Sequence, residues 1–285
     1  MQNQLSRRAF LGSCAAAGFS TGLSLYGKTL EESRFRHGIC DWDLHATGRP
    51  DSFAVAKELG YMGVEVSWQP EGEFSLSKPE NRKKFLDAAS QADVAISSLA
   101  MGVLNSRPLA TESEAEGWVE NGIDAMVEMN VQNVLLAFFG KGDIKDNAEA
   151  RKIVIEKLRR LGPKAEKAKK TLGIESYLNA REHLDMLQAI GSDAVKVYYD
   201  EQNMLAKNYP IYDDMELLLK EKAICQVHLK EYGARLGEGK VDFTRIRNLL
   251  EKYDYRGWVV VETSVKGDWK ESQKANAVFV KNLFR

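Results

Sequence analysis

Eight short β-rich runs, each separated from the next by a longer region carrying charged amphipathic stretches, set the tightest limit on what this chain can fold into. The runs cover residues 37–40, 63–67, 95–100, 133–139, 173–177, 194–199, 224–229 and 258–262. The amphipathic stretches include 79–92, 112–129, 148–171, 180–190, 243–252 and 269–283. Alternating β and α elements predict a parallel sheet covered by helices. Some eight such units within residues 34–285 match the size of a closed (β/α)8 barrel, an α/β fold in one domain. An open doubly wound sheet is the structural alternative, but no Gly-x-Gly-x-x-Gly follows the first run. Local punctuation agrees. Pro79 suits the first turn of a helix, and Gly60, Asn130, Gly173 and Gly191 stand where helices would stop before strands.

The formal net charge of −1 removes the electrostatic argument for a nucleic-acid partner. Cys14, Cys40 and Cys225 are too few for a disulfide framework, and Cys40 and Cys225 are expected as buried free thiols on non-adjacent strands. Beyond the N-terminus no apolar run is long enough to span a bilayer. Residues 1–33 read as a signal segment and linker. Within them Ser6-Arg7-Arg8-Ala9-Phe10-Leu11-Gly12 resembles a twin-arginine export signature ahead of a moderately apolar stretch, which implies a periplasmic or otherwise exported protein; the alternative is a cytoplasmic one.

Strands of a parallel barrel are apolar on both faces, so polar residues within them require explanation. The last four runs each supply one metal-type ligand at or near the C-terminal end, where barrel chemistry is placed: Glu175, Asp200, His228 and Glu262. Three carboxylates and one imidazole suit a single Mn²⁺, Mg²⁺, Co²⁺ or Zn²⁺ ion. Period-2 alternation turns Lys230 toward the barrel mouth with His228; a rim ion pair with Glu231 or a neighbour is the structural alternative. Lys196 and Tyr198 share the face of Asp200 lower in the lumen. Glu65, between Val64 and Val66, should also point inward, with Lys196 or another cation offsetting its charge. Trp42, His45 and Trp68, near strand ends, are candidate substrate contacts, the indoles as stacking surfaces. Trp269 reads as a packing residue, His183 as a helix-surface or packing residue, and His37 stands at the wrong end of its strand.

With these residues stands an ordered set of segments. They are Cys40-Asp41-Trp42, Gly63-Val64-Glu65-Val66, Gly173-Ile174-Glu175, Tyr198-Tyr199-Asp200-Glu201-Gln202-Asn203, Val227-His228-Leu229-Lys230-Glu231, Leu236-Gly237-Glu238-Gly239-Lys240-Val241-Asp242-Phe243 and Val260-Val261-Glu262-Thr263. In this set the chain resembles the xylose-isomerase-like barrel superfamily, in its sugar-phosphate isomerase/epimerase branch. The resemblance implies metal ligation by Glu175, Asp200, His228 and Glu262. It also implies proton transfer by Glu175 and Glu262 on opposite faces of a sugar, and substrate contact by Arg235. Asn203 stands where epimerases usually carry a His; it can bind a hydroxyl but has no acid–base role near neutral pH.

The implied reaction removes a proton next to a carbonyl and passes through an enediolate, with Lys230 a candidate to stabilise the developing oxyanion. Metal-dependent β-elimination from a keto-glycoside begins with the same step. A non-catalytic exported sugar-binding barrel is a third reading. A phosphodiesterase of the endonuclease IV type is disfavoured, because the chain has only four His. Apart from Lys230 and Arg235, few Lys or Arg accompany the ligand motifs, which favours an unphosphorylated sugar or keto-sugar. The oligomeric state stays open, a homodimer included.

Overall fold

The computed structural model describes residues 35–263, 265 and 267–285. The export segment read in residues 1–33 lies outside them. Among the described residues eight parallel strands close a barrel in chain order. They are β1 Arg36–Cys40, β2 Gly63–Ser67, β3 Ala95–Met101, β4 Asn133–Phe138, β5 Thr171–Ser176, β6 Val195–Asp200, β7 Ile224–Leu229 and β8 Trp258–Val261. The pairing of β1 with β8 closes the ring and rules out the open sheet. Around the strands lie α1 Ser52–Leu59, α2 Pro79–Ala92, α3 Ala115–Glu128, α4 Ala148–Ala168, α5 Ala180–Ile190, α6 Glu201–Leu205, α7 Ile211–Lys220, α8 Phe243–Lys252 and α9 Trp269–Leu283. No helix among the described residues is long and apolar enough to cross a membrane.

Capping chemistry sets many of these bounds. Pro79 opens α2. Asn179 and Glu182 form a reciprocal capping box at the start of α5. Gly60, Asn130 and Gly191 take left-handed conformations just after α1, α3 and α5. Gly173 behaves otherwise: it lies within β5. The helix before it ends at Ala168, three residues short of the expected 171, because Lys169 turns left-handed at φ 55°. Gly173 is required by packing, since a Cβ there would stand 2.9 Å from Cys225 Sγ and 3.2 Å from Tyr198 Cβ.

The main core lies between the barrel's outer face and the helices, and holds Val64, Val66, Leu99, Leu136, Ile174 and Val227. The lumen carries two smaller apolar groups: Ala100, Leu135, Ala137 and Tyr198; and Cys40, Trp258 and Val260. Cys40 and Cys225 are both free, Cys40 fully buried and Cys225 only partly so. Register shifts interrupt two ladders. One falls between Val64 and Glu65 against β3, the other between Val197 and Tyr198 against β7. They seat Ser98 opposite Glu65 and Gln226 opposite Tyr198.

Candidate active site

Four successive strand ends converge at the C-terminal mouth. Glu175 comes from β5, Asp200 from the last position of β6, His228 from β7, and Glu262 directly follows β8. His228 Nδ1 lies 3.1 Å from Glu262 Oε2, 3.3 Å from Glu175 Oε1 and 4.0 Å from Asp200 Oδ2. One ligand atom from each residue falls within 4.8 Å of all the others. Lys230 also points into the mouth, its Nζ 2.8 Å from Glu262 Oε2 and 3.3 Å from Asp200 Oδ2. The ion pair that its alternative reading placed at the rim, with Glu231 or a neighbour, forms inside the cluster. Glu231 instead accepts backbone N–H bonds from Lys240 and Val241.

Burial dominates the electrostatics. It pushes Glu175 up to about 7, with the Glu262 and Asp200 charges adding to it and His228 opposing. Burial likewise raises Asp200. Burial would raise Glu262 too, but His228 and Lys230 more than offset it and hold that carboxyl far below the usual range. Three carboxylates thus share the mouth with one lysine ammonium and one imidazole. Three convergent carboxylates and one imidazole nitrogen form a donor set that fits a divalent cation in both chemistry and spacing.

The remaining expected residues scatter. Asn203 joins the cluster: its backbone N–H donates to Asp200 Oδ1 at 2.8 Å and its amide to Glu175 Oε1 at 3.2 Å. Trp42 is half-buried, with its ring edge-on to that of His228 at 6.3 Å. His45 is exposed and stacks on Trp269 at 4.6 Å. Arg235 donates to Ser272 Oγ of α9 at 3.3 Å. Trp68 is fully buried in the main core. The lumen-facing positions of β2 are Glu65 and Ser67, so alternation turns Trp68 outward to the helices.

Glu65 does point into the lumen, but Lys196 is not its counterion. Lys196 sits at the opposite end of β6 and donates to the Lys222 carbonyl at 2.6 Å. The partner of Glu65 is instead His228, whose Nε2 lies 2.9 Å from Glu65 Oε1. His183 packs inside, 3.0 Å from Ser176 Oγ. Three further residues stand at the site without having been expected there from the sequence. Cys40 Sγ lies 3.6 Å from His228 Nε2. Tyr232 donates its hydroxyl to Asn203 Oδ1 at 3.0 Å; alternation from Lys230 could have pointed to it. Asp43 is buried just past β1, with one carboxylate oxygen unpartnered, and burial followed by the Glu262 charge raises it to about 7. The strand-end rule applied to β1 would have found it.

The profile of the xylose isomerase-like TIM barrel family matches residues 53–283. No curated protein matches the sequence. Several solved structures share the fold. A D-psicose 3-epimerase structure, obtained in the presence of D-fructose, aligns with a TM-score of 0.73 at 14% identity, covering 87% of this chain and 99% of that one. A 3-keto-D-glucoside 4-epimerase from E. coli aligns at 0.67 and 15% identity, covering 87% and 98%. A xylose isomerase-like TIM barrel protein from Mycobacterium smegmatis, in complex with magnesium, aligns at 0.68 and 18% identity, covering 82% and 87%.

Proposed function

Because the chain belongs to the xylose isomerase-like TIM barrel family, we propose that its strand-end cluster holds one divalent cation and that the protein is a sugar isomerase or epimerase. The observation that carries this is the convergence of Glu175, Asp200, His228 and Glu262 within 4.8 Å on consecutive strands. The fold shared with epimerases of 3-keto-glucosides and ketohexoses supports the reaction class, and the magnesium complex of a similar barrel supports the cation. When bound, a divalent ion would polarise the carbonyl of a keto-sugar and offset the negative charge that develops beside it.

The chain's own residues supply proton transfer and orientation. One of Glu175 and Glu262 takes the proton from the carbon next to the carbonyl, leaving an enediolate. The other, protonated, returns one to the carbon, so the two carboxyls exchange protonation states over a turnover. The Asn203 amide holds the Glu175 carboxylate in a fixed orientation, and Tyr232 anchors that amide from its other end. Lys230 keeps positive charge beside the oxygen atoms of the site. Since Lys230 is engaged by two carboxylates, little cationic surface is left for a phosphate, which favours an unphosphorylated sugar.

Incubating the metal-loaded protein with a panel of keto-sugars in deuterated water tests the assignment. Deuterium should enter the carbon next to the carbonyl, and Glu262→Gln should abolish both exchange and turnover while leaving the fold intact. Near wild-type exchange in that variant would sink the role of Glu262. Release of an aglycone would redirect the chemistry to elimination, and sugar binding without any exchange would leave a binding protein.

A further inference from the structure

Below the strand-end cluster, the lumen holds a continuous polar chain that the proposed reaction does not use. We infer that Glu65 is a positioning residue: it holds the proton of His228 on Nε2, so that the Nδ1 lone pair faces Glu175, Asp200 and Glu262 and is available to a divalent cation. This rests on the cation site proposed above.

The hydrogen-bond order leaves little freedom. The Asn133 side-chain amide reaches the Cys225 carbonyl, a pure acceptor, at 3.5 Å and donates to Gln226 Oε1 at 2.8 Å. That turns the Gln226 NH2 toward Ser98 Oγ and Tyr198 Oη, both at 2.7 Å. With their lone pairs engaged, both hydroxyls donate to Glu65 Oε2, each at 2.5 Å. A carboxylate accepts only, so Glu65 Oε1 requires an N–H from His228 Nε2 at 2.9 Å. An imidazole that gives a lone pair to a cation is neutral and keeps a single N–H; with that N–H held on Nε2 by Glu65, the nitrogen left for a cation is Nδ1. It is also the nitrogen that faces Glu262 at 3.1 Å and Glu175 at 3.3 Å. Carboxylates placed behind a metal-binding imidazole fix its tautomer and raise its basicity as a ligand.

Cys40 Sγ, Glu65 Oε1 and His228 Nε2 could in principle hold a second ion themselves. Their geometry favours the proton instead. The Glu65–His228 separation is that of a hydrogen bond, and the other Glu65 oxygen already accepts two hydroxyls.

The test is Mn²⁺ alone, titrated into the full chain and followed by the paramagnetic resonance of the free ion. Wild type should bind one equivalent, and Glu65→Gln should bind about 10- to 100-fold more weakly with unchanged circular dichroism. A second measurement needs no folded variant at position 65. In ¹⁵N-histidine-labelled wild type loaded with Zn²⁺, His228, assigned by the signal lost in His228→Gln, should carry its proton on Nε2. A Glu65→Gln affinity within about twofold of wild type, a proton on Nδ1, or two Mn²⁺ per chain would overturn the inference. Wild type that binds no Mn²⁺ would overturn the cation site as well, which separates the two failures.

Discussion

His183 and His228 are both fully buried imidazoles, and their neighbours give them opposite chemistry. Burial lowers His183 to about 4, against the weaker opposing pull of the Asn179 backbone and the Glu182 charge. Burial would lower His228 too, but the acidic groups around it carry it well above the ordinary value. His183 therefore stays neutral and makes stability depend on pH. The unfolded chain takes up a proton near pH 6.5 and the folded one only near 4, so the unfolded state binds the extra proton between those values. Stability is undiminished above pH 6.5 and is lost as the pH falls toward 4. Urea unfolding at pH 7.5 and pH 5 should show wild type losing about 2 kcal/mol more than His183→Gln across that interval. Equal losses would mean that His183 takes a proton without unfolding the chain. The sequence left His183 as a helix-surface or packing residue from its place in a helix, and nothing local distinguished its fate from that of His228.

At the level of elements, the two register shifts matter more than the strand limits. A one-residue offset in a ladder changes which side chains meet across strands. The shift between Val64 and Glu65 seats Ser98, rather than Ser97, beside Glu65. The shift between Val197 and Tyr198 brings Gln226 beside Tyr198. Both pairs belong to the polar chain behind His228. The strands also interlock at the floor of the lumen, where Gly63 of β2 leaves room for the Trp258 ring of β8. A Cβ at position 63 would stand 2.5 Å from that ring, whereas one at Gly102 would meet nothing within 4 Å. Gly63→Ala should therefore cost ~1–3 kcal/mol in a urea titration, and Gly102→Ala no more than about 0.5 kcal/mol. Equal costs would contradict the packing described here. Strand and helix limits were largely legible, since periodicity and capping residues mark them; the register shifts were not, because they answer to partners on other strands.

In the whole molecule, the proposed cation site belongs to no single element: the C-terminal ends of β5, β6, β7 and β8 each bring one candidate ligand to it. Any ion that binds there favours the closed barrel over the unfolded chain, by ~2.7 kcal/mol at a hundredfold excess over Kd. Addition of Mn²⁺ should raise the Tm by several degrees, and a chelator should reverse it; an unmoved Tm would count against the site. The proton on Glu175, whose carboxyl burial raises to about 7, and any proton on Asp200 must leave before the ion binds. The rise in Tm should therefore shrink as the pH falls below 7.

Strand order, the helical cover and the convergence of Glu175, Asp200, His228 and Glu262 at the strand ends followed from the sequence, because hydrophobic period and strand-end polarity are local properties. The partner of Glu65 did not. Lys196 shares its face of β6 with Tyr198, yet it sits at the far end of that strand, and His228, 163 residues from Glu65, takes the place. That contact exists only after β1 pairs with β8 and the register shifts set the lumen layers. A charge buried inside a closed barrel is matched across the lumen, and the distance across the lumen is a property of closure that no single segment carries.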